Sequence, residues 1–382
     1  MKYKLGEIFS LQMGKTPDRH SPEFWSEGTE SWISIADLSK CNKYIENTAE
    51  KITMTAIEES GIKPIPRNTV IMSFKLSIGK VAITPKEMYS NEAIMAFIDK
   101  GVFQIEPAYL YYLLMHRDWD VGTNKAVMGK TLNKATLSQI SINIHELSEQ
   151  HEITKVLDAI SSIIEARKQQ LQKLDELVKA RFIEMFGDPV VNKKGWDAEI
   201  LNNLCNGIGD GLHGTPEYDD AGKYAFINGN NLMNGAIEVT PSTKMVNAET
   251  FGKYYIEISE NAILLSINGT LGKLAFYNGE EIILGKSACY CNLKSEINRE
   301  FVYGVMQTNA FSNFLERNAT ASTIKNVGLK AIREFRLILP PEGLQKQFVK
   351  FSKQVDKSKA VAQKALDEAQ LLFDSLMQKY FE

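Results

Sequence analysis

Three glycines in the stretch NGIGDGLHGTPEYDDAG, Gly209, Gly211 and Gly214, stand at the G-x-G-x-x-G spacing that lets backbone N–H groups close on a pyrophosphate. That chemistry needs a strand ending at the glycines and a helix beginning there, so that the helix N-terminus faces the anion. Pro216 and the run Asp219-Asp220-Ala221-Gly222 read instead as a further turn. A nucleotide-cofactor oxidoreductase is thus one alternative to set against the structure. The stretch GTNKAVMGKT approaches a phosphate-binding P-loop, but six residues separate Gly122 from Gly129 where that loop needs four.

Other reactive groupings are sparse. No H-E-x-x-H, G-x-S-x-G or N-P-P-[FY] motif occurs. Cys41, Cys205, Cys289 and Cys291 form no C-x-x-C pair and no zinc spacing with the five histidines. Cys289 and Cys291 alternate with Ala288, Tyr290 and Asn292, which reads as two core side chains on one strand face. His145, His151 and His213 read as exposed or structural. The sequence therefore predicts no cofactor, no metal and no catalytic residue of its own.

At 382 residues and 44% hydrophobic content, the chain is long enough for two cores. No apolar run approaches the roughly 18 residues of a membrane span. Cysteine usage reads as a reducing cytoplasm, which makes the Asn268-Gly269-Thr270 and Asn318-Ala319-Thr320 sequons chance. The net charge of −3 means that any hold on nucleic acid must come from locally clustered Lys and Arg, or from partners.

The elements that must carry any site are written twice. A shift of roughly 193 residues brings VIMSFKLSIGKVAI, from Val70, onto ILLSINGTLGKLAF, from Ile263, with Ser73 on Ser266, Gly79 on Gly272 and Lys80 on Lys273. WISIADL from Trp32 matches FINGNNL from Phe226, NEAIMAFI from Asn91 matches GKSACYCNL from Gly285, and YLYYLLM from Tyr109 matches FVYGVMQ from Phe301. KTLNKATL, ending at Leu137, matches STIKNVGL, ending at Leu329. In this frame Gly214-Thr215-Pro216 falls opposite Lys15-Thr16-Pro17, where no glycine fingerprint exists. Each copy reads as α+β, with one amphipathic helix around Ala108–Asp118 and again around Arg299–Leu315.

After each copy the texture becomes helical. Ile153, Leu157, Ile160, Ile164, Leu171, Leu174 and Val178 alternate three and four apart, with Arg167 at the one polar seam position. Leu344, Phe348, Phe351, Val355, Ala362, Ala365, Ala369, Leu372, Leu376 and Tyr380 do the same. Helices of this length run about 55–60 Å, too long to be buried in one small domain. The expected architecture is two tandem globular domains, 1–145 and 189–340. They are joined by long helices, 146–188 and 341–382, packed as an antiparallel coiled coil with pseudo-two-fold symmetry. A coiled coil that only dimerises the chain is the alternative.

What recurs between the copies is small polar and basic loops. Lys and Arg neutralise phosphates, which makes Lys15, Arg19, Lys75, Lys80, Lys130, Lys134, Lys273 and Lys325 candidate backbone contacts. Asn, Ser, Thr and Gln read base edges. The candidates of this second kind are Ser34 and Asn133 in the first copy, and Thr215, Asn228, Asn230, Asn231, Asn268 and Thr323 in the second. Asp37 and His213 are further DNA-contact candidates with no assigned mode.

The order LGEIFSLQMGKTPDRHSPEFW, SWISIADL, HELSEQHEI and MFGDP, then GIGDGLHGTPEYDDAGKYAFINGNNLMNGAI and LPPEGLQKQF, resembles the specificity subunit of type I restriction-modification systems. The resemblance covers essentially the whole chain, with Gln150 and Gln347 among its weaker marks. It implies a non-catalytic subunit that binds double-stranded DNA. Each globular copy would be a target-recognition domain for half of a split site, and the helices would set the spacer. It also implies two methyltransferase subunits docked on the helices and restriction subunits in the full complex, with methylation and cleavage chemistry belonging to those partners. A coiled-coil adaptor, or a DNA-binding protein outside restriction-modification, are the other readings.

Overall fold

The structure is a computed structural model that describes residues 2–75, 77–119, 124–126 and 129–382. Gly122 of the P-loop-like stretch lies outside these residues. The chain forms two compact units, Met1–Lys168 with Lys364–Glu382, and Gln169–Gln363.

In unit 1 a four-stranded antiparallel sheet runs in the order Phe9–Met13, Ile94–Asp99, Val70–Ser73, Val81–Ile83. A second sheet places Glu30–Ile33 antiparallel to Glu50–Ile52 and parallel to Tyr89–Ser90. Lys2–Lys4 pairs with Ser141–Asn143. Unit 2 repeats this strand for strand. Its four-stranded sheet is Cys205–Asp210, Ala288–Leu293, Ala262–Ser266, Leu274–Phe276. Tyr224–Ile227 lies antiparallel to Met245–Val246 and parallel to Ile282–Leu284, and Asp197–Ile200 pairs with Arg336–Leu339. The tandem repeat in the sequence is a tandem repeat of one α+β module.

Period-2 alternation explains why these short strands carry few polar residues. A strand's successive side chains point to opposite faces, and here both faces are covered. Val70, Met72, Met95 and Phe97 enter one core, while Ile71, Ile94 and Ala96 enter another. In unit 2, Ile263, Leu265, Cys289 and Cys291 share one core, with Ala262, Leu264 and Ala288 in a second. Cys289 and Cys291 are the same-face core residues that their spacing predicts, and both are free thiols.

The long helices are Leu147–Phe186 and Glu342–Phe381, each of 40 residues. In unit 1 the start of the first, Ile153, Leu157, Ile160 and Ile164, shares a core with the end of the second, through Leu366, Phe373 and Met377. In unit 2 the end of the first, Leu174, Val178, Phe182 and Phe186, shares a core with the start of the second, through Phe348, Phe351 and Val355. The helices are therefore antiparallel. Leu171 is half-buried.

Several expectations need correction. Leu372 is not a seam residue: it is 51% exposed, and its neighbour Phe373 is 9% exposed and faces the core. Starting from the buried Ala362, the core-facing positions step by four and then three, through Leu366, Ala369, Phe373, Leu376 and Tyr380, of which Phe373 is buried and the rest partly so, with Met377 buried beside Leu376. The expected helix over Arg299–Leu315 is two helices, Arg299–Met306 and Asn309–Asn318. Thr308 lies between them with extended backbone, φ −74° and ψ 156°, and its hydroxyl donates to the Val305 carbonyl at 2.7 Å. The glycine fingerprint is not a turn before a helix. Gly209 lies within the strand Cys205–Asp210, and none of the three glycines has positive φ.

Close approach is what Gly211 supplies: a Cβ there would stand 2.1 Å from the Leu284 carbonyl oxygen. Gly14 meets the Ser90 carbonyl in the same way, at 2.2 Å. Lys15 N–H donates to Ser90 O at 2.8 Å, and Leu212 N–H donates to Leu284 O at 2.7 Å. The structural partner of Gly14 is therefore Gly211, not His213, and His213-Gly214 is a two-residue insertion ahead of Thr215-Pro216. Similarly, Gln150 and Gln345, not Gln347, occupy matching places, each donating to the carbonyl five residues back, His145 at 2.9 Å and Pro340 at 2.8 Å.

Candidate nucleic-acid interface

The most similar loop between the copies is built on a buried serine. Ser73 N–H donates to Lys80 O, Lys80 N–H to Ser73 Oγ, and Gly79 N–H to Ser73 O, while Ser73 Oγ donates to Ser77 O. Ser266 makes the same four bonds with Lys273, Gly272 and Thr270. Both serines are 0% exposed, and Gly79 and Gly272 take φ of 88° and 80°, which favours glycine. The shared Ser-x5-Gly-Lys pattern thus closes a turn with backbone bonds and leaves only the lysine ammonium for other work. In unit 1, Lys80 turns its ammonium onto the Ser39 hydroxyl. In unit 2, among the described residues, Lys273 has no side-chain partner, and it lines a cleft of about 670 Å³.

Several polar candidates have their atoms engaged locally. Ser34 and Asp37 form a capping box. The Asp37 carboxylate, 8% exposed, accepts from Ser34 N, Ser34 Oγ and Ala49 N at 2.8, 2.7 and 3.0 Å. Asn133 caps the helix Lys134–Gln139 through Thr136 N–H at 2.8 Å. Asn228 accepts from Ser287 Oγ at 2.8 Å. Asn231 accepts from Asn228 N–H at 3.0 Å and donates to Glu238 O and Thr243 Oγ1 at 2.9 and 3.1 Å. Asn268 sits in a bridge with Asn326, and Lys325 pairs with Glu316.

Side chains open to solvent form a different set in each unit. In unit 1, the Arg19 guanidinium lies 3.9 Å from the Trp25 ring and 4.7 Å from Trp32, and meets Glu50 through bonds of 2.5 and 3.1 Å. Cation–π contact with these rings, together with the bidentate Glu50 pair, holds the guanidinium fork. Trp32 itself is a buried strand residue, 2% exposed, that supports this surface from below and is held by its Nε1–H on Lys15 O at 3.1 Å, and the Lys15 ammonium donates to Ser60 O. Thr16 donates to Glu92, which holds that carboxyl below its usual range. Lys75 lies 5.3 Å from the Phe74 ring, Lys134 is exposed, and Lys130 lies on the strand Gly129–Thr131. In unit 2, His213 Nε2 is 2.7 Å from Asp210, with the imidazole 69% exposed. Thr215, Asn230 and Thr323 are exposed. Asn230 lines a cleft of about 300 Å³ with Thr240, Ser242 and Lys244, and Lys244 stands 5.8 Å from the Tyr218 ring.

The residues that sequence reasoning passed over are aromatic or isolated: Trp25, Tyr218 and Lys244. The seven-residue interval between Trp25 and Trp32, with Arg19 just upstream, is a signal that could have found the first. Nothing in the sequence brings Lys244 to Asn230. Among the described residues, no three His, Cys, Asp or Glu side chains group as metal ligands, and no helix is long and apolar enough to cross a membrane.

One sheet scaffold built twice, each time with its own set of polar, basic and aromatic loop residues, defines a two-module recognition protein. The model of the type I restriction modification DNA specificity domain matches residues 1–176 and 194–370, and the chain belongs to this family. It is similar to the specificity subunit of the MjaIX type I restriction enzyme of Methanocaldococcus jannaschii, 23% identical over 371 residues that cover 90% of this chain and 84% of the relative. The fold is also that of the type I restriction-modification S subunit from M. genitalium, with TM-score 0.54, 14% identity, and coverage of 100% of this chain and 96% of the other. A chain from a structure of complex assembly and conformational transition of the type I restriction-modification system has TM-score 0.57 and 15% identity, covering 99% and 96%.

Proposed function

We propose that this chain is the DNA-specificity subunit of a type I restriction-modification system and reads a split double-stranded site, one half with each recognition domain, 1–145 and 189–340. The long helices, 146–188 and 341–382, fix the unread spacer and dock two methyltransferase subunits, with restriction subunits joining the full complex. The assembly works in the cytoplasm, and methylation and cleavage belong to the partners.

One observation carries the reading: the same sheet order and the same Ser-Gly-Lys turn carry unlike loops. A common scaffold with Arg19 and Trp25 in one copy, and His213, Asn230 and Lys244 in the other, suits two half-sites of different sequence. Phosphate contacts position a protein, whereas base-edge contacts specify the target. Lys273 then has the first role and Asn230 the second.

With the methyltransferase present, Lys273→Ala will weaken binding to cognate and scrambled duplexes alike and reduce the slope of log K against log salt by about 0.9. Asn230→Ala will cost about 1–3 kcal/mol on the cognate duplex and relax preference in one half-site alone. Competition binding with duplexes mutated in either half separates the two patterns. Uniform behaviour of both variants would remove the assignment of roles.

A further inference from the structure

The densest positive charge in the chain lies on a helix and not on a loop. Residues 346–364 carry six lysines against the single acid Asp356 in a protein whose net charge is −3. Four of them, Lys346, Lys350, Lys353 and Lys357, recur at intervals of four, three and four, which at 3.6 residues per turn confines them to an arc of roughly 60°. They line one shallow groove, all are exposed, and its apolar floor, Val349, is buried. Lys346 pairs with Glu342 at 2.6 Å and Lys353 with Glu300 at 3.0 Å, both exposed pairs that are worth little. Among the described residues, Lys350 and Lys357 have no side-chain partner.

The fold does not require this row. With Gln150 matched to Gln345, unit 1 places His151, Lys155, Asp158 and Ser162 at the corresponding positions of its own helix. The row is also continuous with the candidate phosphate contact, because Lys353 lines both this groove and the larger cleft that contains Lys273.

We infer that Lys346, Lys350, Lys353 and Lys357 form a track for the sugar-phosphate backbone of duplex DNA beside the half-site read by unit 2. The inference rests on the DNA-recognition reading above and adds a second, sequence-blind contact surface to it. Charge complementarity and composition choose this occupant. Protein–protein interfaces are depleted in lysine and enriched in aromatic residues, methionine and arginine at their centres, whereas this groove offers lysines over a covered floor. A polyanion gains from each lysine by releasing condensed counterions, whatever its sequence.

The test is Lys350→Gln/Lys357→Gln in the full chain assembled with its methyltransferase. The probes are a duplex carrying the motif methylated in cells and a scrambled duplex of equal length. Loss of two phosphate contacts lowers affinity for both duplexes by roughly 10- to 30-fold near physiological salt and reduces the salt slope by about 1.8. Glutamine keeps the helix, and an unchanged elution volume of the variant complex shows that assembly is intact. Wild-type affinity and slope in the variant, or lost assembly with DNA binding retained by the remaining complex, would overturn the track, the second outcome marking an acidic protein partner. If wild-type complex does not prefer the motif duplex at all, the recognition reading itself fails, a separate result.

Discussion

Leu157→Asp will leave unit 1 without a stable fold. Leu157 is 0% exposed, and with Ile153 and Ile160 of the same helix it shares a core with Phe373 of the second long helix and with Val70, Met72, Met95 and Phe97 of the four-stranded sheet. Leucine to a smaller residue at such a site costs about 2–5 kcal/mol. A carboxylate adds the desolvation of a charge with no cation provided for it, which places the change in the exceptional class above about 4–5 kcal/mol. A domain's whole stability is about 5–15 kcal/mol. Hydrogen exchange should show protection lost in the strands Val70–Ser73 and Ile94–Asp99, with Leu157→Met near wild type; retained protection there would mean that the helix is not part of the unit 1 core.

Phe348→Ala is the matching expectation for unit 2. Phe348 is 1% exposed, its ring centroid lies 5.4 Å from Phe182 and 5.7 Å from Phe186, and Gly304 is a glycine because a Cβ there would meet the Phe348 ring at 2.5 Å. The helix Arg299–Met306 therefore packs its backbone directly on this ring. Truncation costs about 3–5 kcal/mol. Thermal unfolding should show the loss, and Gly304→Ala in the Phe348→Ala background should recover part of it by filling the vacated space. No recovery would mean that the ring and the glycine are not coupled in this way.

Much of this architecture is legible in the chain because the chain repeats itself. The strands of the four-stranded sheet, the three-stranded sheet and the terminal pair recur in both units, and the period-2 pattern of strands such as Ala288–Leu293 places Cys289 and Cys291 correctly on the core face. The misreadings have physical causes. Leu371, Leu372 and Phe373 are consecutive apolar residues, so a three-then-four and a four-then-three seam both fit from Ala362; only packing chooses Phe373. Aligning Gly214-Thr215-Pro216 on Lys15-Thr16-Pro17 hides the His213-Gly214 insertion, because the close approach that needs Gly14 and Gly211 is set by carbonyl groups far away in sequence. The candidate interface was the least legible part. Ser34-x-x-Asp37 and Asn228-x-x-Asn231 look like displayed polar groups, yet their spacing is also that of a capping box, and the structure uses them so. The approach of Arg19 to the Trp25 and Trp32 rings, and the shared cleft of Asn230 and Lys244, depend on tertiary contacts that no local pattern encodes.

The central claim is that each recognition domain reads its own half-site. It is tested most directly by replacing residues 189–340 with the matching segment of a relative and reading the methylated motif in genomic DNA from cells that carry the hybrid with its methyltransferase. The account predicts that one half of the motif changes while the other half and the spacer length stay as they were. An unchanged motif, or a change in both halves, would contradict it.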